Sequence, residues 1–145
     1  MLTPTQSVKQ PRNLLPMPGT EQGFVYGGVR SALRLEAFAA FAAATAVYAC
    51  NGFSWPIFVL LFLAPDVSML AYFAGPRLGA LAYNLAHSEA LALALTLAGF
   101  VGGLHMVATG GLIWIAHIGI DRALGYGLKY PTRFGDTHLG RIGRR

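Results

Sequence analysis

Four apolar stretches, each long enough to form a spanning helix, divide the chain between residue 31 and residue 125. The first is expected over 31–50, the second over 53–75, the third over 78–101 and the fourth over 104–125. The apolar residues run on continuously instead of recurring on one face. Phe53 to Gly75 holds a single charge, Asp66, and Leu78 to Leu104 holds only Glu89. Runs of this length exceed the roughly 20 residues that cross a hydrocarbon core of about 30 Å. The reading is an all-α, polytopic membrane protein, a four-helix transmembrane bundle.

Local signals refine the elements. Ser31 suits a helix start. The Ala-rich Ala37–Ala49 lets a neighbouring helix approach closely. Asn51-Gly52 marks a tight turn and Gly102-Gly103 a break. Ala64-Pro65-Asp66 interrupts the second segment, because proline removes a backbone hydrogen bond that neighbours must replace. Residues 1–30, with four prolines and four glycines, are expected to form an irregular or disordered cytoplasmic tail. Residues 126–145 form a C-terminal segment too short for a domain. Two readings stand for it: a lid folded under the bundle, with Asp136 and His138 reaching inward, or an interfacial tail with Tyr126, Lys129 and Tyr130 at headgroup level.

Composition agrees with the pattern: 54% of residues are hydrophobic and 12% charged, against about 25% charged in an ordinary soluble domain. The net charge of +5 does not point to nucleic acid, because no basic face is interleaved with aromatics. Lys9, Arg12, Arg30 and Arg34 precede the first apolar run, and Arg122, Lys129, Arg133, Arg141, Arg144 and Arg145 follow or close the last. That distribution places both termini in the cytoplasm of an inner-membrane protein, with the lipid bilayer as partner and anionic headgroups as a second attraction. The single Cys50 excludes an intrachain disulfide.

The ionisable residues inside the apolar segments carry the candidate chemistry, since each needs a partner, an ion or a wet cavity. His117 and Asp121 are four residues apart, so they share one face of the fourth helix. Asp66 lies ten residues before Pro76 and His87 eleven after it, which places both about 15 Å from the intervening turn at 1.5 Å per residue. The expectation is one cytoplasm-facing site. Asp66, His87, His117 and Asp121 would hold one divalent ion, for which imidazole and carboxylate without thiolate suit zinc, iron or manganese. Glu36, near the start of the first helix, is the candidate catalytic base, with Glu89 as its rival. Competing readings are polar glue between helices, haem ligation by His87 and His117, a proton relay or small transporter, and an interaction protein without catalysis.

Leu63-Ala64-Pro65-Asp66, Tyr83-Asn84-Leu85-Ala86-His87-Ser88, Trp114 to Gly127, Lys129-Tyr130-Pro131 and Asp136-Thr137-His138-Leu139-Gly140 resemble an uncharacterised bacterial family of small integral membrane proteins, defined as a domain of unknown function. A weaker likeness is to the LexA-binding, inner-membrane-associated hydrolases, also called membrane-bound metal-dependent hydrolases. Their Pro-Asp, His-Ser and His-x-x-x-Asp order is similar to Asp66, His87-Ser88, His117 and Asp121. Ser68 stands where that pattern has a second Asp, and Ala82 where it has a further His. The second likeness implies hydrolysis of a lipid-like or phosphoester substrate.

Overall fold

The computed structural model describes residues 23–142. Most of the expected N-terminal tail, residues 1–22, lies outside the described residues, as do residues 143–145. The elements are α1 (Gly27–Cys50), α2 (Trp55–Leu61), a 3₁₀ helix (Ala64–Ala74), α3 (Pro76–Ala86), α4 (Glu89–Val101), α5 (His105–Leu124) and a two-residue hairpin, β1 (Asp136–Thr137) with β2 (Gly140–Arg141).

Among the described residues every regular element but that hairpin and one isolated bridge, Lys129 with Thr137, is helical, and α5 is the axis. Ala108, Thr109, Gly111, Leu112, Ile113, Ala116, His117, Ile118 and Gly119 of α5 are all buried. Small residues let its neighbours close on it. A methyl group at Gly119 would lie 2.7 Å from the backbone nitrogen of Phe41 in α1. Gly111 leaves the same kind of room for Thr96 of α4, and Gly99 for Ala108. Such close backbone approach is how membrane helices associate where no hydrophobic gain separates helix from lipid. At the middle of α5, Leu112, Ile113 and Ala116 join Ala44 and Tyr48 of α1.

Three segments are long and apolar enough to cross a membrane: Gly27–Cys50, Trp55–Ala74 and Pro76–Val101. The expected fourth, α5, has the length but a lower hydropathy, because it carries His117, Asp121 and Arg122 and faces protein instead of lipid. Lipid-type surface lies elsewhere, on residues such as Val59, Leu60, Phe73 and Val101. α1 begins at Gly27, four residues before the expected start.

Two of the expected helices are not continuous. The second changes winding at Pro65 and continues as a 3₁₀ helix. With three residues per turn, Asp66, Met69 and Tyr72 fall on one line along it. The third breaks at His87-Ser88. Inside a bilayer the carbonyls freed by a break must be satisfied by protein. Trp114 Nε1 donates to the Ala86 carbonyl and Arg122 Nη2 donates to the His87 carbonyl at 3.2 Å. Both donors come from α5. Arg122 also pairs with Glu89 at 2.6 Å, in the first turn of α4.

Gly125, at φ +107°, ends α5 in the left-handed conformation, where a side chain would be strained. The chain then doubles back. Asn84 of α3 clasps Lys129 by its backbone, donating to its carbonyl at 2.9 Å and accepting from its N–H at 2.7 Å. Arg34 of α1 donates to the Ala123 carbonyl at 2.7 Å, which caps the last turn of α5 with a cation. Val25 donates to the His138 carbonyl at 2.9 Å, so the described start and end of the chain meet on the same side.

Candidate metal centre

The two interruptions and the i, i+4 pair on α5 build one site. Pro65 starts the tighter winding that turns Asp66 inward. The break after Ala86 leaves His87 as the cap of α3, with its side chain 3% exposed. His117 and Asp121 come from adjacent turns of α5.

One donor atom from each of Asp66, His87, His117 and Asp121 lies within 4.8 Å of the others. His87 Nε2 is 3.5 Å from Asp66 Oδ1 and 3.5 Å from Asp121 Oδ2. His117 Nε2 is 3.6 Å from Asp66 Oδ1 and 3.8 Å from Asp121 Oδ2. The two Nε2 atoms are 3.2 Å apart. Nitrogen–carboxylate hydrogen bonds are shorter, at about 2.7–3.2 Å. A tetrahedral ion with ligands at about 2.0–2.2 Å separates those ligands by about 3.3–3.6 Å. The carboxylate–imidazole edges fall near that range, so this group can hold a metal ion.

The supports favour ligand-ready imidazoles. His87 Nδ1 lies 2.9 Å from the Tyr83 carbonyl. A carbonyl only accepts, so Nδ1 carries a proton and Nε2 is the nitrogen aimed at the site, the arrangement common among metal-binding histidines. Tyr83 stacks on His87 with ring centroids 3.7 Å apart, and its hydroxyl reaches Asp121 Oδ2 at 3.4 Å. Phe62 packs edge-on against His117. His117 Nδ1 is buried and lacks a partner of good geometry among the described residues; the Phe62 backbone is the hydrogen-bonding group beside the ring.

Asp66 and Asp121 open onto a cavity of about 330 Å³, lined also by Met69, Tyr83, Tyr126, Lys129 and Phe134. The C-terminal segment thus covers the site, but not with the residues expected. Asp136 is turned away, accepting from Thr132 Oγ1 at 2.8 Å and from Arg141 Nε at 2.8 Å. Those two bonds, Thr132 first, hold its carboxyl below the usual carboxylate range. His138 accepts the Leu128 N–H at Nδ1, 2.9 Å away. Burial, reinforced by Arg122, lowers its pKa. Lys129 is the residue that sequence reasoning missed as a site component. It is 4% exposed, its ammonium donates to the Phe134 carbonyl at 2.9 Å, and burial lowers its pKa. Its position directly before Tyr130-Pro131, in a segment rich in glycine and aromatics, was the one available signal.

Glu36, the expected base, lies elsewhere. It is exposed and lines a second cavity of about 390 Å³ with Glu89, Arg122, His138 and Ile115. At 100° per residue, Ile115 and Arg122 occupy the side of α5 opposite His117 and Asp121. Glu89 shares the second cavity, so neither candidate base lines the first. Asn84 and Ser88 act in structure: Asn84 in the clasp described, and Ser88 as the start of α4, accepting from Leu91.

Comparison with known proteins gives one match: the family described as Domain of unknown function (DUF4260) covers residues 30–142. No curated protein and no solved structure matches, so the likeness to metal-dependent hydrolases gains no support from that side.

Proposed function

We propose, for a chain that belongs to this DUF4260 family, that it is a membrane-embedded, metal-dependent hydrolase acting on lipid-like or phosphoester substrates. Asp66, His87, His117 and Asp121 would hold one divalent ion. Zinc is favoured over iron or manganese because the set is two imidazole nitrogens and two carboxylate oxygens, with nitrogen–oxygen separations of 3.5–3.8 Å. One observation carries this reading: four donor atoms converge at separations too long for hydrogen bonds to the carboxylates and suited to a shared ion.

Such an ion supplies a water of lowered pKa and polarises a phosphoryl or carbonyl oxygen. The protein's residues do the rest. Tyr83 fixes the His87 tautomer through its carbonyl and steadies Asp121 through its hydroxyl. Phe62 and the Tyr83 ring keep water off the imidazoles. The cavity beside Asp66 and Asp121 gives a substrate its approach. The role expected of Glu36 passes to the cluster itself: the second oxygens of Asp66 and Asp121 are the bases nearest the open side. The protein lies in the cell inner membrane with both termini cytoplasmic, an arrangement supported by Arg30, Arg34, Arg122, Arg133 and Arg141 at the end where the described termini meet, and anionic headgroups are its lipid partners there.

Metal analysis of protein purified in detergent without chelator tests the reading. About one ion per chain is expected in the wild type, with nearly complete loss in His117→Ala and Asp121→Ala. Loss of a single outer hydrogen bond already costs ten- to a hundredfold in affinity at such sites. Substoichiometric metal, unchanged in His117→Ala, would overturn it.

A further inference from the structure

The cavity beside the four-residue cluster contains a lysine that feels Asp121 and Asp66 across it but has no carboxylate at ion-pair distance among the described residues. Lys129 Nζ lies 3.9 Å above the Phe134 ring and 4.8 Å above the Tyr83 ring. It makes one hydrogen bond, to the Phe134 carbonyl. An ammonium has three donors, so two remain. Among the described residues no ion pair includes Lys129. A buried cation ordinarily has a carboxylate against it. The two carboxylates across the cavity, Asp66 and Asp121, are turned to His87 and His117 instead.

Charge arithmetic then decides what the cavity takes. With neutral imidazoles, a divalent ion cancels Asp66 and Asp121, and Lys129 leaves one uncompensated positive charge in a largely apolar enclosure. We infer that Lys129 makes this cavity an oxyanion-binding site, whose ligand is a phosphate group reaching the ion with one oxygen and the Lys129 ammonium with another. The inference rests on the metal reading above and names its substrate class. Lys129 is a specificity-determining residue: its side chain selects the anion, while the Asn84 clasp holds only its backbone and is indifferent to the side chain.

The test uses full-length protein loaded with cobalt(II), whose visible absorption reports its ligands. In the wild type, inorganic phosphate should shift the spectrum saturably. Lys129→Met, which keeps the length and apolar stem, should bind cobalt at the same stoichiometry but phosphate at least about tenfold more weakly, the usual effect of losing a charge-assisted hydrogen bond. Lys129→Arg should restore most of the affinity. Nanodiscs with and without phosphatidate, free of inorganic phosphate, identify the source: a shift with phosphatidate assigns a lipid headgroup, and a shift with inorganic phosphate alone assigns a soluble ligand. Failure of cobalt to bind the wild type would defeat the metal reading itself. Cobalt bound but blind to phosphate, or equal phosphate affinity in Lys129→Met, overturns the inference alone. Loss of cobalt in Lys129→Met also overturns it, since the lysine would then be holding the fold.

Discussion

His138 receives the Leu128 N–H on Nδ1, a bond that needs that nitrogen unprotonated, and its burial beside Arg122 lowers its pKa. The ordinary value is about 6.5. As pH falls below it, an opened C-terminal segment takes up a proton that the docked segment refuses. Stability of docking is therefore complete above about pH 6.5 and declines until the pH passes below the folded pKa. Amide-exchange protection over residues 126–140 should fall between pH 7.5 and 5.5, and His138→Asn, whose amide oxygen can accept the same N–H, should flatten the response. At this scale the sequence was informative for a physical reason. Ionisable groups in apolar segments must find partners, so the order and depth of Asp66, His87, His117 and Asp121 implied their meeting. Glu36 shows the limit: depth along a helix does not fix the direction a residue faces. Lys129 lay outside the apolar segments, where a charge requires no explanation.

Among the elements, the contact between α1 and α5 depends on a missing side chain. A methyl at Gly119 would meet backbone on both sides, 2.7 Å from Phe41 N and 2.8 Å from Ala37 O, and backbone cannot rotate away as a side chain can. Gly119→Ala should cost about 1–3 kcal/mol, as overpacking does elsewhere. Gly110, on the same helix with nothing within 4 Å of its would-be methyl, provides the control: Gly110→Ala should be neutral or slightly stabilising. Thermal unfolding of both variants in detergent compares them directly. The breaks in the second and third segments were only half legible. Pro65 announced an interruption, though not eleven residues of 3₁₀ helix. The break at His87-Ser88 leaves no mark in hydropathy, because apolar composition is the same for a broken and an unbroken helix. What permits it, Trp114 and Arg122, stands about thirty residues further along the chain. Ser88 followed by Glu89 was the local hint, a polar cap with an acid in the first turn.

For the molecule as a whole, orientation can be read with its own cysteine. Cys50 is exposed at the far end of α1 and is the single cysteine of the chain. The helix, at 1.5 Å per residue, is about 36 Å long, enough to cross the hydrocarbon. A membrane-impermeant maleimide should label Cys50 from the outer side of intact inner membranes. In a Cys50→Ser background, Arg141→Cys should label only after the membrane is opened. Labelling of both from one side would sink the arrangement.

The dependence of the His87-Ser88 break on α5 also dictates an order of events during synthesis. Until Trp114 and Arg122 leave the ribosome, the carbonyls of Ala86 and His87 have no donors, and the nascent third segment gains more by closing into one unbroken helix. His87 then has the wrong direction, and His117 and Asp121 have not yet been made. Capture of an ion by this group would thus be a late act of maturation, completed only when α5 has packed against the helices made before it.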